Sequence, residues 1–302
     1  MKRLCMLLAL QAIVAATACA GERFDIAITV DDLPSHGPLP AGMSRAGIAQ
    51  SYLATLKAHQ VPEAFGFVNA VKLTTEPGSE AVLDAWRAGG YPLGNHTYSH
   101  MDLERAPSIQ AWQADVLSGE SALASRMQGA QWRYLRFPFL DAGAGRHDDA
   151  MAFLRARGYR VADVSVSFDD WAYTDTYARC VARGDDGAIA AMKARYLGEV
   201  DAAIARLQDD STRVFGRVIP QVLLTHLGGW SAVTLPEVMA RLDAAGARYV
   251  TLAQALADPA YADVEGRNVL ARAAARKGVV LSAAAAKPSG PDLATLCQGG
   301  AP

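Results

Sequence analysis

Strand-like and helix-like segments alternate along almost the whole chain, and that alternation constrains the fold more than any single motif. Short apolar segments rich in β-branched or aromatic residues are expected to form strands at 25–30, 63–68, 91–94, 132–136, 159–166, 221–225 and 248–252. Helical patterns fall between them at 44–59, with Ser44 as N-cap, and at 79–88, 108–127, 147–157 and 235–245. A longer, mostly helical insertion covers 173–207. Regular alternation of this kind argues for an α/β fold with a parallel sheet, either a barrel or a doubly wound sheet. A chain of 302 residues is ample for one large domain with a full core.

The positions of the chemically capable residues favour the barrel. Asp31 and Asp32 follow the first expected strand, His96 and His100 the third, Arg136 ends the fourth, Asp170 follows the fifth and His226 the sixth. In a barrel, the loops after the strands converge on one mouth, so residues distant in sequence meet there.

Two local patterns stand out. Gly94-Asn95-His96-Thr97-Tyr98-Ser99-His100 places two of only 6 histidines four residues apart. On a helical turn that spacing puts both rings on one face, about 5–6 Å apart at Cβ, close enough to grip one divalent metal. The bare spacing fits a pair of solvated or capping histidines equally well, so a third ligand is required. The run from Asp25 to Val30 supplies one, because it ends in Asp31-Asp32 and is stopped by Pro34. Of two adjacent acids at a strand end, one can bind metal while the other acts as a base.

Together these stretches resemble the polysaccharide deacetylase family, the NodB-homology or family 4 carbohydrate esterases, whose ordered motifs find counterparts here across residues 25–226. The resemblance implies an α/β fold of the distorted (β/α)7-type barrel kind, occupying 21–257; beyond it the chain turns Ala-rich and then Pro/Gly-rich, so 258–302 is expected to be a partly disordered C-terminal extension. It also implies a metal set of Asp32, His96 and His100, with zinc the default and cobalt or nickel as substitutes, and Asp31 as general base.

Arg136-Phe137-Pro138-Phe139 is similar to the motif whose arginine orients that base, and the backbone N–H of Phe139 would help bind the oxyanion. Phe139 stands where tyrosine is commoner in the family. Asp169-Asp170-Trp171 resembles the acid–tryptophan motif, with Asp170 pairing with Arg136 or tuning the acid histidine and Trp171 forming an apolar wall; Asp169 is an extra acid that competes for the same role. Leu223-Leu224-Thr225-His226 resembles the last motif, with His226 protonating the leaving amine and Leu224 lining the acetyl pocket. His36, His59 and His147 are left over: the first, four residues after Asp32, is within reach of the site mouth or even the metal but is expected to be a surface-loop histidine, the second is solvated and the third begins a helix.

Residues 1–20 combine a basic start, an apolar core from Leu4 to Val14 and small residues ending at Ala20, the pattern of a cleavable secretory signal; the rival is a lipoprotein anchored at Cys19. Its removal takes Lys2 and Arg3 and moves the formal charge from −2 to −4, which offers nothing to attract nucleic acid or anionic lipid. No other apolar run is long enough to span a membrane. Cys180 and Cys297 then remain, either as a disulfide stapling the tail or as two free thiols. A carbohydrate is the expected partner, and the tail from Ala284 to Pro302 is expected to be poorly ordered.

The favoured function is removal of an N-acetyl group from a sugar or polysaccharide outside the cytoplasm, in the periplasm or beyond. The same motifs would serve an O-acetyl xylan esterase, a deformylase or a cyclic-amide hydrolase. A reading from another class is a carbohydrate-binding barrel without catalysis.

Overall fold

A computed structural model describes residues 23–263, 266–282 and 290–298. The expected signal sequence lies outside the described residues. The chain runs β1 (Phe24–Leu33), α1 (Arg45–Ala58), β2 (Ala64–Val68), α2 (Lys72–Thr75), α3 (Ser79–Ala88), β3 (Leu93–Asn95), α4 (Ile109–Ser118), α5 (Glu120–Met127), β4 (Tyr134–Leu135), α6 (His147–Ala156), β5 (Arg160–Val161) and β6 (Val166–Ser167). There follow α7 (Trp171–Arg183), α8 (Asp186–Phe215), β7 (Gln221–His226), α9 (Gly229–Ala244), β8 (Ala247–Tyr249), α10 (Leu252–Ala255) and α11 (Val269–Lys277).

The strands form one curled parallel sheet in the order β5-β4-β3-β2-β1-β7-β6, with β8 paired to the first residues of β1. This is the expected α/β barrel-like architecture. Period-two alternation in β1 divides its residues between two cores. Ile26, Ile28 and Val30 join the cluster shared with the surrounding helices, while Ala27 joins Phe65 and Phe67 of β2 and Val222 of β7 in a second cluster. The second face continues through Thr29 to Asp31, so the interior turns from apolar to polar toward the strand ends. Parallel register sets Asp31 opposite His226.

The expected fifth strand is instead two short ones. After Val161 the chain turns inward at Asp163, whose buried carboxylate accepts from the Gly266 N–H (2.6 Å) and from Arg272 Nη1 (2.8 Å). Val164 then pairs with Asn268 before β6 begins on the other edge of the sheet. Residues 162–165 therefore link the two edge strands, and the segment carrying Gly266 to Val269 packs alongside them. The domain consequently does not stop at 257: Tyr261, Val269 and Leu270 are buried in the second cluster.

The insertion is larger than its polar sequence suggests. Its helices reach from Trp171 to Phe215, because a buried stripe through Met192, Tyr196, Val200, Ile204, Leu207 and Val214 keeps α8 on the barrel past the polar run after Leu207. The expected helix at 108–127 divides at Gly119, and that at 235–245 begins earlier, at Gly229, with Pro236 inside it. Trp230 anchors α9, stacked on Tyr173 at 5.1 Å with an interplanar angle of 6°. Residues 290–298 are docked rather than loose: Leu293 and Leu296 pack on the core, and Cys297 is disulfide-bonded to Cys180. No described helix is long and apolar enough to cross a membrane.

Candidate active site

The site begins with a defect in β1. Val30 pairs with Gly66 and Leu33 with Val68, so three steps on β1 match two on β2, which is a bulge. A regular strand would send Asp31 and Asp32 to opposite faces. The bulge, with Asp32 in the left-handed region at φ 62°, turns both carboxylates into the mouth. Such a conformation costs about 1–3 kcal/mol and persists only where its surroundings enforce it. The same strain recurs at Thr97, His100, Phe139, Leu140 and Asp169, all at or beside this mouth.

The histidine segment is not a helical turn. Beyond β3 it is an irregular loop with Thr97 and His100 at positive φ. Buried side chains hold it: Asn69 donates to the carbonyls of His96 (2.6 Å) and Thr97 (3.2 Å), and Asp115 of α4 accepts from the Ser99 N–H (3.0 Å) and Oγ (2.8 Å). The two rings still meet, edge to face at 4.9 Å. His96 Nδ1 donates to the Arg136 carbonyl (2.8 Å), which leaves Nε2 as a bare lone pair.

His96 Nε2 and His100 Nε2 lie 3.5 and 3.3 Å from Asp32 Oδ1. That oxygen is buried and has no hydrogen-bond partner among the described residues. Burial alone would raise the Asp32 pKa, but a hydrogen bond from His36, with His96, His100 and His226 nearby, holds it well below the usual carboxylate range. Burial and the neighbouring His96 push His100 down to about 4. Two imidazole nitrogens and an orphaned anionic oxygen are a donor set that fits one divalent cation.

Asp31 is buried against Arg136, whose Nη1 straddles its two oxygens at 3.2 and 3.3 Å. This is one nitrogen on two oxygens rather than a parallel fork, because Nη2 is engaged by Thr29 Oγ1 (3.0 Å) and Nε by the Ala162 carbonyl (2.7 Å). Arg136 has no exposed surface and also lies over the Phe67 ring at 4.8 Å.

Asp170 pairs with His226, not with Arg136. It occupies the N-cap position of α7 without capping it. Oδ1 meets His226 Nδ1 at 2.8 Å, while Oδ2 accepts the His226 N–H and Ser231 Oγ, each at 2.8 Å. Burial by itself would lower the His226 pKa, but Asp170 overcomes it and raises the imidazole to about 9. Asp169 is an exposed side chain bonded to Ser167 (3.1 Å) and takes no part in that pair.

Asp31, Asp32, His96, His100 and His226 open into a cavity of about 340 Å³ walled by Leu224, Phe139 and Trp171. Phe139 and Trp171 are 66% and 54% exposed, the most exposed aromatic rings described, and Phe139 stands edge-on to His100 at 4.6 Å. Exposed aromatic rings beside a polar cleft suit the apolar faces of sugars. A cavity of about 380 Å³ between α6 and the β5 end is lined by none of the histidines.

Residues 20–162 match the family model described as Polysaccharide deacetylase. Over this stretch the chain is similar to the polysaccharide deacetylase family. Its members hydrolyse N-acetyl amide bonds in sugars. The matched stretch contains Asp31, Asp32, His96, His100, Arg136 and Phe139; Asp170, Trp171, Leu224 and His226 lie beyond it.

No curated protein matches the sequence. Among solved structures, a variant of BA3943 from Bacillus anthracis, described as a CE4 family pseudoenzyme with restored enzymatic activity, aligns with a TM-score of 0.53 at 13% identity over 82% of this chain and 69% of its own. Peptidoglycan deacetylase PdaC from Bacillus subtilis aligns at 0.50 and 19% identity over 85% and 94%. A family 4 carbohydrate esterase from Streptomyces lividans in complex with acetate aligns at 0.50 and 17% over 77% and 95%. At these identities the likeness establishes a shared fold.

One residue takes the less favoured of its two expected places. His36, expected to be a loop histidine, has Nδ1 2.7 Å from Asp32 Oδ2 and its ring 4.6 Å from that of His226. Its signal was the four-residue spacing from Asp32, which an irregular loop does not make readable. His59 is also less solvated than expected, bonded to Asp243 at 2.6 Å, whereas His147 does begin α6.

Proposed function

We propose that this protein is a metal-dependent hydrolase that removes the acetyl group from an N-acetylated sugar or polysaccharide, with Asp32, His96 and His100 holding one divalent cation. The donor set suits zinc, with cobalt or nickel as substitutes. The reading rests on the orphaned Oδ1 of Asp32, set between two imidazole nitrogens and beside a second carboxylate already paired with a buried guanidinium. A cation bound there supplies Lewis acidity, polarising the acyl oxygen and lowering the pKa of water from about 15.7 toward ~7.

The remaining work falls to the chain's own groups. Asp31 accepts the proton of the attacking water, and Arg136 keeps that carboxylate aimed. The backbone N–H of Phe139 supports the acyl oxygen as it gains charge. His226 delivers a proton from Nε2 to the departing nitrogen while Asp170 holds Nδ1. Leu224 receives the acetyl methyl and Trp171 the sugar face. The C–N bond breaks, leaving acetate and a free amine.

A histidine that Asp170 favours in its charged form suits amides over esters, because an amine leaves far less readily than an alcohol without a proton. Acetate release from defined N-acetylated oligosaccharides and from acetylated xylan, with and without chelator, tests this. Amide turnover abolished by chelator and by Asp31→Asn, with metal content unchanged in that variant, is the expected result. A variant that retains wild-type turnover removes Asp31 as the base. We further propose export, periplasmic or beyond; the Cys180–Cys297 disulfide supports an oxidising compartment.

A further inference from the structure

His36 joins the two halves of the site, and its surroundings explain how. A carboxylate only accepts, so the hydrogen in the 2.7 Å contact with Asp32 Oδ2 sits on His36 Nδ1. The two oxygens of Asp32 are thereby made unequal: Oδ2 is tied outward to His36, while Oδ1 faces His96 and His100 without a partner.

The loop bearing His36 is clamped from three sides. Its N–H donates to the Leu227 carbonyl at 2.6 Å. Gly37 sits at φ +65°, and a Cβ there would come within 2.4 Å of Thr174 Cγ2 on α7. A Cβ on Gly229, at the start of α9, would come within 2.5 Å of Pro40. Glycine at these positions lets the loop lie directly on two helices, so the backbone that carries the ring cannot shift without moving them, and the ring itself is held between Asp32 and His226.

We propose that His36 is a positioning residue of the metal site, which locks the Asp32 carboxylate so that Oδ1 alone serves the cation. This rests on the reading of Asp32, His96 and His100 as a metal set, and goes beyond it by assigning the orientation of Asp32 to a residue that is not a ligand. A carboxylate without this anchor rotates between one-oxygen and two-oxygen presentation and must be ordered at binding; outer partners of metal ligands are typically worth about 10–100-fold in affinity.

The experiment is Zn2+ binding by the full chain in competition with a chromophoric chelator, for wild type, His36→Ala, His36→Phe and His36→Asn. One zinc per chain is expected throughout. Affinity should fall about 10–100-fold in His36→Ala and His36→Phe and recover most of that loss in His36→Asn, whose amide nitrogen replaces Nδ1. His36→Phe retains a ring against His226, so it separates the lost hydrogen bond from lost packing if His36→Ala fails to fold.

Equal affinity in wild type and His36→Phe would overturn the proposal. So would two zinc ions per wild-type chain, since Asp32, His36 and His226 also lie close enough to share a cation, and so would a wild type that binds no zinc. If zinc binding follows the expected order but no acetylated sugar is turned over, the deacetylase reading fails and the role of His36 stands.

Discussion

Two carboxylate–imidazole clusters face each other across the mouth of this barrel, built from the same residue types and electrostatically opposite. In the first, Asp32 shows His96 and His100 an oxygen with no partner, and burial pushes His100 down to about 4. In the second, both oxygens of Asp170 are engaged by His226 and Ser231, and His226 is raised to about 9. His100 in the first is held neutral, and His226 in the second is held charged. The difference comes from what surrounds each pair: burial and the neighbouring His96 lower His100, whereas Asp170 is aimed at a single imidazole and raises it. One constellation is thus shaped to receive a cation and the other to hold a proton.

Variants that break one cluster while sparing the other test this contrast, in order of expected loss of turnover. Asp32→Ala should remove bound metal, measured by elemental analysis, and lower kcat/KM by about 10³-fold or more, since Lewis-acid stabilisation is worth several kcal/mol. If stoichiometric metal and activity survive, the first cluster is not the cation site.

Asp170→Asn should leave metal content intact and lower kcat/KM at pH 8 by about 100-fold, the lower range of general-acid contributions. In apoprotein NMR titrations, His226 should move from about 9 down toward the ordinary histidine value. A folded-state pKa above the unfolded one means that this pair's stabilisation is full below about pH 6.5 and is lost as pH rises to about 9. The apoprotein Tm should therefore fall over that window in wild type, and less so in Asp170→Asn. Identical slopes would show that the pair is not coupled as described.

Ser231→Ala sharpens the comparison further. It removes one of three hydrogen bonds to Asp170 and should cost about 1.5–3 kcal/mol of stability by denaturant titration, because the acceptor is charged. Turnover should change by only a few-fold, with metal binding untouched. The smallest effect on either cluster is expected from Cys180→Ser with Cys297→Ser. Opening a crosslink between residues 117 apart should lower stability by about 2–4 kcal/mol, with kcat/KM and the His226 titration unchanged. A shifted titration would mean that the docked tail reaches the site through α7.

Much of the fold was readable because strands and helices announce themselves within a few residues. The first strand, the glycine-closed helices and the alternation that implies a parallel sheet are local patterns. The strand expected at 159–166 was misread because nothing nearby reveals that Asp163 is drawn inward by Gly266 and Arg272, more than 100 residues later. The insertion was cut short for a similar reason, since the polar run after Leu207 gives no sign of the barrel surface beneath Val214. The ten residues read as the site do converge around one mouth. Their supports Asn69, Asp115 and Ser231 were not visible, because nothing local marks the distant partner of a polar residue, and the spacing of His36 from Asp32 suggested a place at the mouth without deciding it.

By itself the sequence determined which chemical groups the protein possesses and that they follow successive strands, because the strand period and the barrel rule act over short distances. Only the tertiary structure decided which oxygen of Asp32 is free, which acid Arg136 holds and which imidazole carries a proton. Those outcomes depend on a bulge against β2 and on contacts such as Arg136 with Asp31, 105 residues apart, and His226 with Asp170, 56 apart. Side-chain charge and pairing are set by neighbours in space, and those neighbours exist only once the sheet has curled.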